Sequence, residues 1–531
     1  MRDRLEQLAD LLVADGTRHA FGVTGSGASL TLIEALAARG VAYHAASHEA
    51  AAAVMAGAVQ RAGGGCAPAI TIKGPGVANL VPGIVHNFFE NIAGLTISEA
   101  HGDDAPPHRA HKRLDHAVLL STCVRGVVDL PTAVARWSEL RRDAAREAPT
   151  PIHIDLCERA ARSAPRSGVD RCGARDATPA RGGSEDARAD AADWGDVLRK
   201  ATQAQRPILI VGGLALRRPW RERLAALRVP TFTTAAAKGA LDESLPHAAG
   251  VFTGEGRELA PERPLLPEAD LLIAIGLRPA EVTRAAPLER PVVLLDEVES
   301  PGASVFGSRV TRAAPEQIDE LLESLADRAW GLDRVAGATG AVRAALAGGE
   351  WLPGACFETL TRAGFDHALV VDTGAFCTVA EHVWRASPRR PCFGSANGRY
   401  MGNALPTAIG VALANPARPV VCAVGDGGIR AYVAEWRLAL ARRLPICLLL
   451  MRDGRYGSIA AAVGPRADTA PLRVAGESWA DAVAAFGGAA LRVESHHSWE
   501  RSFASWNRAS PLFIECAFDA ERYAGMTRGV R

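Results

Sequence analysis

The sequence from Val420 to Gly457 reads VVCAVGDGGIRAYVAEWRLALARRLPICLLLMRDGRYG and decides the fold that we predict. Two apolar runs in it have the length of buried strands. Each run ends in a polar turn that contains an aspartate, Asp426 in the first turn and Asp453 in the second. Strands that alternate with helices form parallel sheets, so the two turns are expected at one edge of such a sheet.

The composition of these turns suits a metal ion held against a diphosphate. Mg²⁺ prefers oxygen ligands and commonly takes one or two carboxylates together with phosphate oxygens. Gly427 and Gly428 follow Asp426, and glycines let backbone N–H groups approach phosphates closely. An ordinary polar turn is the alternative for Gly-Asp-Gly taken alone, so the rest of the chain must decide.

Length and composition exclude several classes of protein. At 531 residues the chain is too long for one core. The net charge of +1 gives no reason to expect nucleic acid or a membrane surface. There is no apolar run of membrane-spanning length and no signal-peptide pattern. The ten cysteines include no C-x-x-C pair, so we expect a cytoplasmic protein without disulfides or zinc.

Strand-like runs alternate with helical runs rich in Ala and Leu along the whole chain, which predicts repeated βα units. Two stretches poor in large apolar residues divide the chain, one from Ser163 to Asp193 and a weaker one near 331–350. We therefore predict an α/β fold with three doubly wound parallel-sheet domains. Their predicted bounds are 1–162, 195–330 and 350–531, with linkers at 163–194 and 331–349.

Residues 425–457 resemble the cofactor motif of thiamin-diphosphate enzymes of the acetolactate synthase and benzoylformate decarboxylase superfamily, although Asp453 replaces the usual asparagine. The three predicted domains resemble, in order, the pyrimidine-binding, central and diphosphate-binding domains of that superfamily. The resemblance implies thiamin diphosphate and Mg²⁺ as cofactors. It places the metal ligands at Asp426, Asp453 and the carbonyl of Arg455, and cofactor contacts at Gly425, Asp426, Gly427, Gly428, Asp453, Tyr456 and Gly457.

In the first domain, the resemblance implies that Glu49 is the catalytic glutamate, which hydrogen-bonds the pyrimidine N1′ and makes the 4′-amino group basic. Burial in an apolar wall would raise the pKa of such a carboxyl and suit it to proton sharing. The alternative is a solvated glutamate in a first helical turn. His48 either faces the substrate or caps the helix. The other candidates are Gly25 and the catalytic candidate Ser26 in one turn, and Lys73, Gly74, Pro75, Gly76 and Asn79 in another.

In the third domain, the resemblance makes Met401 the apolar wedge that holds the cofactor bent, with a carbonyl of Arg399 or Tyr400 orienting its amino group. The turn Gly374-Ala375-Phe376 matches the first diphosphate turn of the family. It lacks the Gln-His pair that synthases of the family often carry there. This departure argues against acetolactate synthase activity itself.

Basic residues near the expected site point to the charge of the substrate. Lys73 replaces a serine of the family motif, and the loop from His101 to His116 contains Arg109, Lys112 and Arg113 where relatives carry a neutral loop. These cations favour a 2-oxo acid with a second anionic group. A solvated basic loop is the alternative.

The sequence leaves three functions open. The first is decarboxylation of a 2-oxo acid, followed by protonation or by carboligation to an acceptor carbonyl. The second is an acetolactate synthase with FAD, which we do not expect because no complete G-x-G-x-x-G follows the strand at 207–211. The third is a non-catalytic cofactor-binding homologue. Because the family builds its active sites between subunits, we expect a homodimer or homotetramer.

Overall fold

The computed structural model describes residues 1–102, 105–106, 108, 110–157, 191–298, 300, 302–463, 470–474, 476 and 478–530. It contains three six-stranded sheets, and the paired strands run parallel throughout them. The predicted α/β fold class with three doubly wound parallel sheets is confirmed. Residues 163–190 of the predicted linker, and Asp103, Asp104 and Arg109 of the basic loop, lie outside the described residues. Within the described ranges, none of the helices combines the length and the apolar character that a bilayer crossing requires.

The first sheet has the strand order β2-β1-β3-β4-β6-β5. The inner strands β3, β4 and β6 are buried along their whole length, as expected for a parallel sheet with helices on both faces. The strands are β1 (His19–Gly22), β2 (Ala42–Ala45), β3 (Pro68–Thr71), β4 (Leu95–Glu99), β5 (Val127–Asp129) and β6 (Ile152–Leu156). The helices are α1 (Arg2–Ala14), α2 (Ala28–Ala38), α3 (Glu49–Arg61), α4 (Pro75–Phe89), α5 (His116–Leu120), α6 (Leu130–Ala135) and α7 (Trp137–Ala145).

The central sheet has the order β12-β11-β10-β7-β8-β9. Its strands are β7 (Pro207–Val211), β8 (Thr231–Thr233), β9 (Ala248–Val251), β10 (Leu271–Ile275), β11 (Val292–Asp296) and β12 (Val310–Arg312). Its helices are α8 (Ala191–Gln203), α9 (Arg221–Ala226) and α10 (Pro315–Ser324). The segment 331–349, which we predicted as a linker, contains a further helix, α11 (Leu332–Ala347). It is helical because Val335, Val342 and Leu346 fall on one face and are buried.

The third sheet repeats the strand order of the first, as β14-β13-β15-β16-β18-β17. Its strands are β13 (Ala368–Val371), β14 (Cys392–Gly394), β15 (Val420–Gly425), β16 (Ile446–Arg452), β17 (Ala489–Val493) and β18 (Leu512–Ala517). The helices are α12 (Pro353–Arg362), α13 (Ala375–Val383), α14 (Ala404–Ala414), α15 (Asp426–Tyr432), α16 (Trp436–Ala441), α17 (Gly457–Val463), α18 (Trp479–Ala484), α19 (His496–Ala504) and α20 (Ala520–Gly525).

The first and third domains pack together through α3 and α14, which share one hydrophobic core. The packing is close because the contacting residues are small. A Cβ added to Gly410 of α14 would lie 2.4 Å from the carbonyl oxygen of Met55 in α3. A Cβ added to Gly83 of α4 would lie 2.3 Å from the carbonyl oxygen of Ala50. Helix α3 is therefore fixed from two sides, and with it the position of Glu49 at its first turn.

Candidate active site

Asp426 and Asp453 meet at the carboxyl edge of the third sheet. They follow β15 and β16, which pair in parallel with Gly425 opposite Met451. The N–H of Gly454 donates to Oδ2 of Asp426 over 2.7 Å. Asp426 is buried, and Oδ2 of Asp453 is buried and has no hydrogen-bond partner among the described residues. The structure thus brings together the two aspartates that the sequence paired and leaves one of their oxygens available for a ligand.

A buried and a half-buried carboxyl group side by side create an unfavourable local charge. Burial, and then the neighbouring charge of Asp426, raise the pKa of Asp453 to about 7. Burial also raises the pKa of Asp426, although the N–H groups of Gly454 and Gly427 oppose that shift. The backbone of Arg455 opposes the rise in the pKa of Asp453, and Arg455 lies two residues further along the same turn. A divalent cation bound here would offset both charges, and the all-oxygen donors suit Mg²⁺.

Glycines make the surface beside the aspartates narrow and free of side chains. A Cβ added to Gly427 would lie 2.6 Å from the ring of Tyr456, and one added to Gly457 would lie 2.9 Å from Oδ2 of Asp453. A Cβ added to Gly428 would lie 2.1 Å from Oδ2 of Asp372. Since side chains at these positions would collide with their neighbours, the turn can present only its backbone to a ligand.

The turn Gly374-Ala375-Phe376 leads into α13 next to this surface. The ring of Phe376 lies 3.2 Å from a Cβ added to Gly425 and 2.4 Å from one added to Gly374. The first N–H groups of a helix lack intrahelical partners and favour anions. Ala375 and Phe376 contribute no polar side chain, so these N–H groups are what the turn offers to a phosphate.

Met401 stands at the tip of the turn before α14 and is 43% exposed. Arg399, two residues earlier, has a φ of 47°, which is left-handed and uncommon for a residue with a side chain. The turn is held from below, because the N–H of Gly402 donates to both oxygens of Asp372 over 2.9 and 2.8 Å. The N–H of Tyr400 donates to the hydroxyl of Ser395 over 2.8 Å. Met401 is thus an exposed apolar side chain on a turn held by hydrogen bonds, as the predicted wedge requires.

In the first domain, Glu49 is the first residue of α3 and is only 8% exposed. Its Oε2 accepts a hydrogen bond from Nδ2 of Asn79 over 3.1 Å. The alternative of a solvated first-turn glutamate is therefore wrong. Nδ1 of His48 accepts from the N–H of Ala50 over 3.1 Å, so His48 caps the helix. Ser26 is exposed in its turn.

The structure pairs Lys73 with Glu99, a residue that the sequence analysis did not single out. Nζ of Lys73 lies 2.8 Å from Oε2 of Glu99. The other oxygen of Glu99 accepts from the hydroxyl of Ser29 over 3.0 Å and from its N–H over 3.3 Å. The positive charge of Lys73 is thus neutralised within the first domain. Lys112 and Arg113 of the basic loop are exposed.

A buried histidine supports the turn that follows Lys73. The N–H of Gly74 donates to Nε2 of His116 over 3.3 Å, and Nδ1 of His116 lies 2.7 Å from a carboxylate oxygen of Asp155. Although burial opposes it, hydrogen bonding from His116 and His153 lowers the pKa of Asp155 well below its ordinary value. These contacts fix His116 with Nε2 as an acceptor, and thereby fix the glycine turn.

Two further carboxylates missed in the sequence cross from one domain to the other. Oε1 of Glu90 in the first domain accepts from the hydroxyl of Ser395 and from the N–H of Gly398, both over 2.9 Å. Oε1 of Glu435 in the third domain accepts from the N–H groups of Ser47 and His48 over 2.9 and 3.2 Å. In the sequence, each of these glutamates is marked only by its position within an apolar stretch. That position does not reveal which residue of the other domain it contacts.

Comparison with known protein families gives three matches, in chain order. The N-terminal TPP binding domain of thiamine pyrophosphate enzymes matches residues 3–118. The central domain of thiamine pyrophosphate enzymes matches residues 196–296. The C-terminal TPP binding domain matches residues 372–516, which include the Asp426 and Asp453 turns.

Several curated proteins are similar over most of their length. The "Probable 2-ketoarginine decarboxylase AruI" of Pseudomonas aeruginosa is 28% identical over 489 residues, which cover 86% of this chain and 82% of that protein. The acetolactate synthase isozyme 1 large subunit of Escherichia coli is 26% identical over 489 residues, with the same two coverages. The acetolactate synthase of Bacillus subtilis is 25% identical over 493 residues, covering 86% and 82%.

Proposed function

Because this chain belongs to the thiamine pyrophosphate enzyme superfamily, we propose that it decarboxylates a 2-oxo acid without oxidation, using thiamin diphosphate and Mg²⁺. The observation that carries the proposal is the pairing of the buried Asp426 with the half-buried Asp453, whose buried Oδ2 has no partner among the described residues and faces a turn that has no room for side chains. Decarboxylation is also the chemistry named in the 2-ketoarginine decarboxylase relative. The second half of the reaction is either protonation or carboligation to an acceptor carbonyl.

Each half of the cofactor would be held by groups already described. Asp426, Asp453 and the carbonyl of Arg455 would bind the Mg²⁺, while N–H groups at Gly427, Gly428 and the start of α13 would bind the diphosphate. Met401 would support the bend. When bound, thiamin diphosphate supplies a carbon nucleophile and an electron sink for decarboxylation.

Glu49 would hold the proton shared with the pyrimidine. Asn79 engages one oxygen of its carboxylate, which leaves the other oxygen for a ligand. Burial at the first turn of α3 keeps water away from this group. The presence of Glu49, Asp426 and Asp453 together supports an active enzyme over a non-catalytic cofactor-binding protein.

The exposed wedge supports a site that a second subunit completes. Met401 is 43% exposed within one chain, whereas an apolar side chain that touches a cofactor is expected to be covered. Within one chain, α14, which follows the Met401 turn, packs on helix α3, and this packing leaves Met401 exposed. We therefore propose a homodimer as the minimum assembly.

The direct test of the reaction is a screen of 2-oxo acids for release of carbon dioxide. We expect release from at least one acid, and only when both thiamin diphosphate and Mg²⁺ are present. A protein that binds the cofactor yet releases no carbon dioxide from any acid, including 2-ketoarginine and pyruvate, would favour the non-catalytic alternative.

One observation favours a second candidate, an acetolactate synthase that binds FAD. A cavity of about 420 Å³ lies between the domains beside Gly213, and its lining includes Arg217, Arg218 and Lys238. Arg217 and Arg218 already pair with Glu147 and Glu297. Arg61 and Arg221 of the same lining donate to backbone carbonyls, so their positive charge remains available for a nucleotide phosphate. Flavin absorbance in the purified protein would establish this candidate, and its absence after incubation with FAD would remove it.

We expect Lys73→Ser to affect stability more than substrate choice. The change leaves the buried carboxylate of Glu99 without its ion partner, at a cost of about 1–2 kcal/mol for this partly exposed pair. The midpoint of thermal unfolding should fall by about 2–4 °C per kcal/mol. Michaelis constants for a mono- and a dianionic 2-oxo acid should change by similar factors.

The matched control for that prediction is Lys112→Ser, which removes an exposed cation of the basic loop and should leave the midpoint unchanged. Adding Glu99→Gln to Lys73→Ser should recover part of the lost stability. If Lys73→Ser instead raises the Michaelis constant for the dianionic acid alone, Lys73 contacts the substrate and the second anionic group predicted from the sequence is correct.

A further inference from the structure

Glu435 connects the third domain to the start of the helix that carries Glu49. It lies nine residues after Asp426, at the end of the short 3-10 turn Val433–Glu435, and is 1% exposed. Its Oε1 accepts hydrogen bonds from the N–H groups of Ser47 and His48. These are the two residues that directly precede Glu49 in the chain.

These contacts add to the hydrogen bonding at the beginning of α3. The N–H groups at the start of a helix have no intrahelical acceptors and must find others. The side chain of His48 accepts from the N–H of Ala50, and Glu435 accepts from the two N–H groups before the helix. The backbone on both sides of Glu49 is therefore held, from one side by its own helix and from the other side by another domain.

Only one oxygen of the Glu435 carboxyl group is used in these contacts, so the arrangement adds less to stability than a fully hydrogen-bonded carboxylate would. Oε2 of Glu435 is buried and has no hydrogen-bond partner within the described part of the chain. Burial raises the pKa of Glu435 to about 7, although the two N–H groups oppose this shift. An unsatisfied buried oxygen is unfavourable. Despite this unfavourable term, the carboxyl group of Glu435 holds the residue before Glu49 at a fixed distance from the third domain.

We propose that Glu435 is a positioning residue for Glu49. By holding the backbone of Ser47 and His48 across the domain boundary, it sets the direction in which the Glu49 carboxylate faces the pyrimidine of the cofactor. The inference rests on the proposed function, since it requires that Glu49 is the group that shares the pyrimidine proton. Glu435 itself does not touch the reacting atoms.

The test compares variants that keep or remove the acceptor. Glu435→Gln retains a carbonyl oxygen for the two N–H groups and should keep turnover within about threefold of wild type. Glu435→Ala removes the acceptor, and Glu435→Met removes it while filling the space if the alanine variant does not fold. Both should lower kcat by about 10–100-fold, because small displacements of a catalytic group have effects of that size. The Michaelis constant for the 2-oxo acid should change little.

A second background separates positioning from general damage. In Glu49→Gln, removal of the Glu435 acceptor should cause no further loss of turnover, because the group that it positions is already disabled. The matched control is Glu243→Ala, which removes another carboxylate, 9% exposed and paired with Lys238, that accepts across a domain boundary from the N–H of Ala386 over 2.9 Å. Its effect should be the same in both backgrounds.

The outcomes distinguish this inference from the proposed function. If Glu435→Met lowers kcat by the same factor in the wild-type and Glu49→Gln backgrounds, or if Glu435→Gln loses as much activity as Glu435→Met, Glu435 has only a structural role. If the wild type releases no carbon dioxide from any 2-oxo acid, the proposed function fails. If Glu49→Gln is as active as wild type, only the catalytic role of Glu49 fails, and the inference fails with it.

Discussion

Glu49→Gln is expected to keep the fold and the affinity for thiamin diphosphate, and to lose turnover by a factor of about 10²–10⁴. An amide has nearly the shape of the carboxyl group, so Asn79 can still hydrogen-bond the side chain. It cannot take up or release the shared proton, however. The loss should appear in kcat, measured as carbon dioxide release with the best acid from the screen.

The matched control for this variant is Glu34→Gln, a change at an exposed carboxylate of the first domain on α2. We expect it to have wild-type activity. Cofactor titrations of both variants show whether the loss arises after binding. Turnover of Glu49→Gln within about threefold of wild type would remove Glu49 from the catalytic role.

Asp426→Ala is expected to abolish Mg²⁺-dependent binding of thiamin diphosphate. The change removes one of the two carboxylates proposed to bind the metal, and it also releases the N–H of Gly454 from its acceptor. Because changes in groups that merely support a metal ligand cost about 10–100-fold in affinity, loss of a ligand should exceed about 100-fold. Calorimetric titration of the cofactor, in Mg²⁺ and in EDTA, measures the effect.

The control is Asp453→Asn, which removes a charge but keeps an oxygen ligand and introduces the residue usual in the family. Its affinity should stay within about tenfold of wild type. The assignment of the metal site is wrong if Asp426→Ala binds the cofactor as the wild type does. It is also wrong if the wild type binds the cofactor equally well in EDTA.

The strands of the third sheet that carry the aspartates, and the residues at their ends, could be predicted from the sequence. The apolar runs before Asp426 and Asp453 form β15 and β16 as predicted, because strands buried on both faces are recognisable by composition. Helix α11 was read as part of a linker because glycines and polar residues surround its apolar positions. Its helical spacing of Val335, Val342 and Leu346 was the signal that was missed.

The partners of the candidate site residues could not be predicted. Lys73 finds Glu99 at a separation of 26 residues, and Ser47 finds Glu435 at a separation of 388 residues. The first pair depends on β3 and β4 lying side by side in the first sheet, and the second depends on the close approach of α3 and α14 from two domains. Sequence periodicity specifies neither arrangement. The charge of Lys73 therefore suggested a substrate contact, whereas the structure provides an internal partner.

The central claim is that Glu49, Asp426 and Asp453 serve one thiamin-diphosphate site. It is tested most directly by the exchange of the C2 proton of the cofactor for deuterium, because that measurement requires no knowledge of the substrate. We predict exchange in the presence of the protein that is much faster than for the free cofactor, that requires Mg²⁺, and that is lost in Glu49→Gln. Exchange with the protein and Mg²⁺ at the rate of the free cofactor would contradict the account.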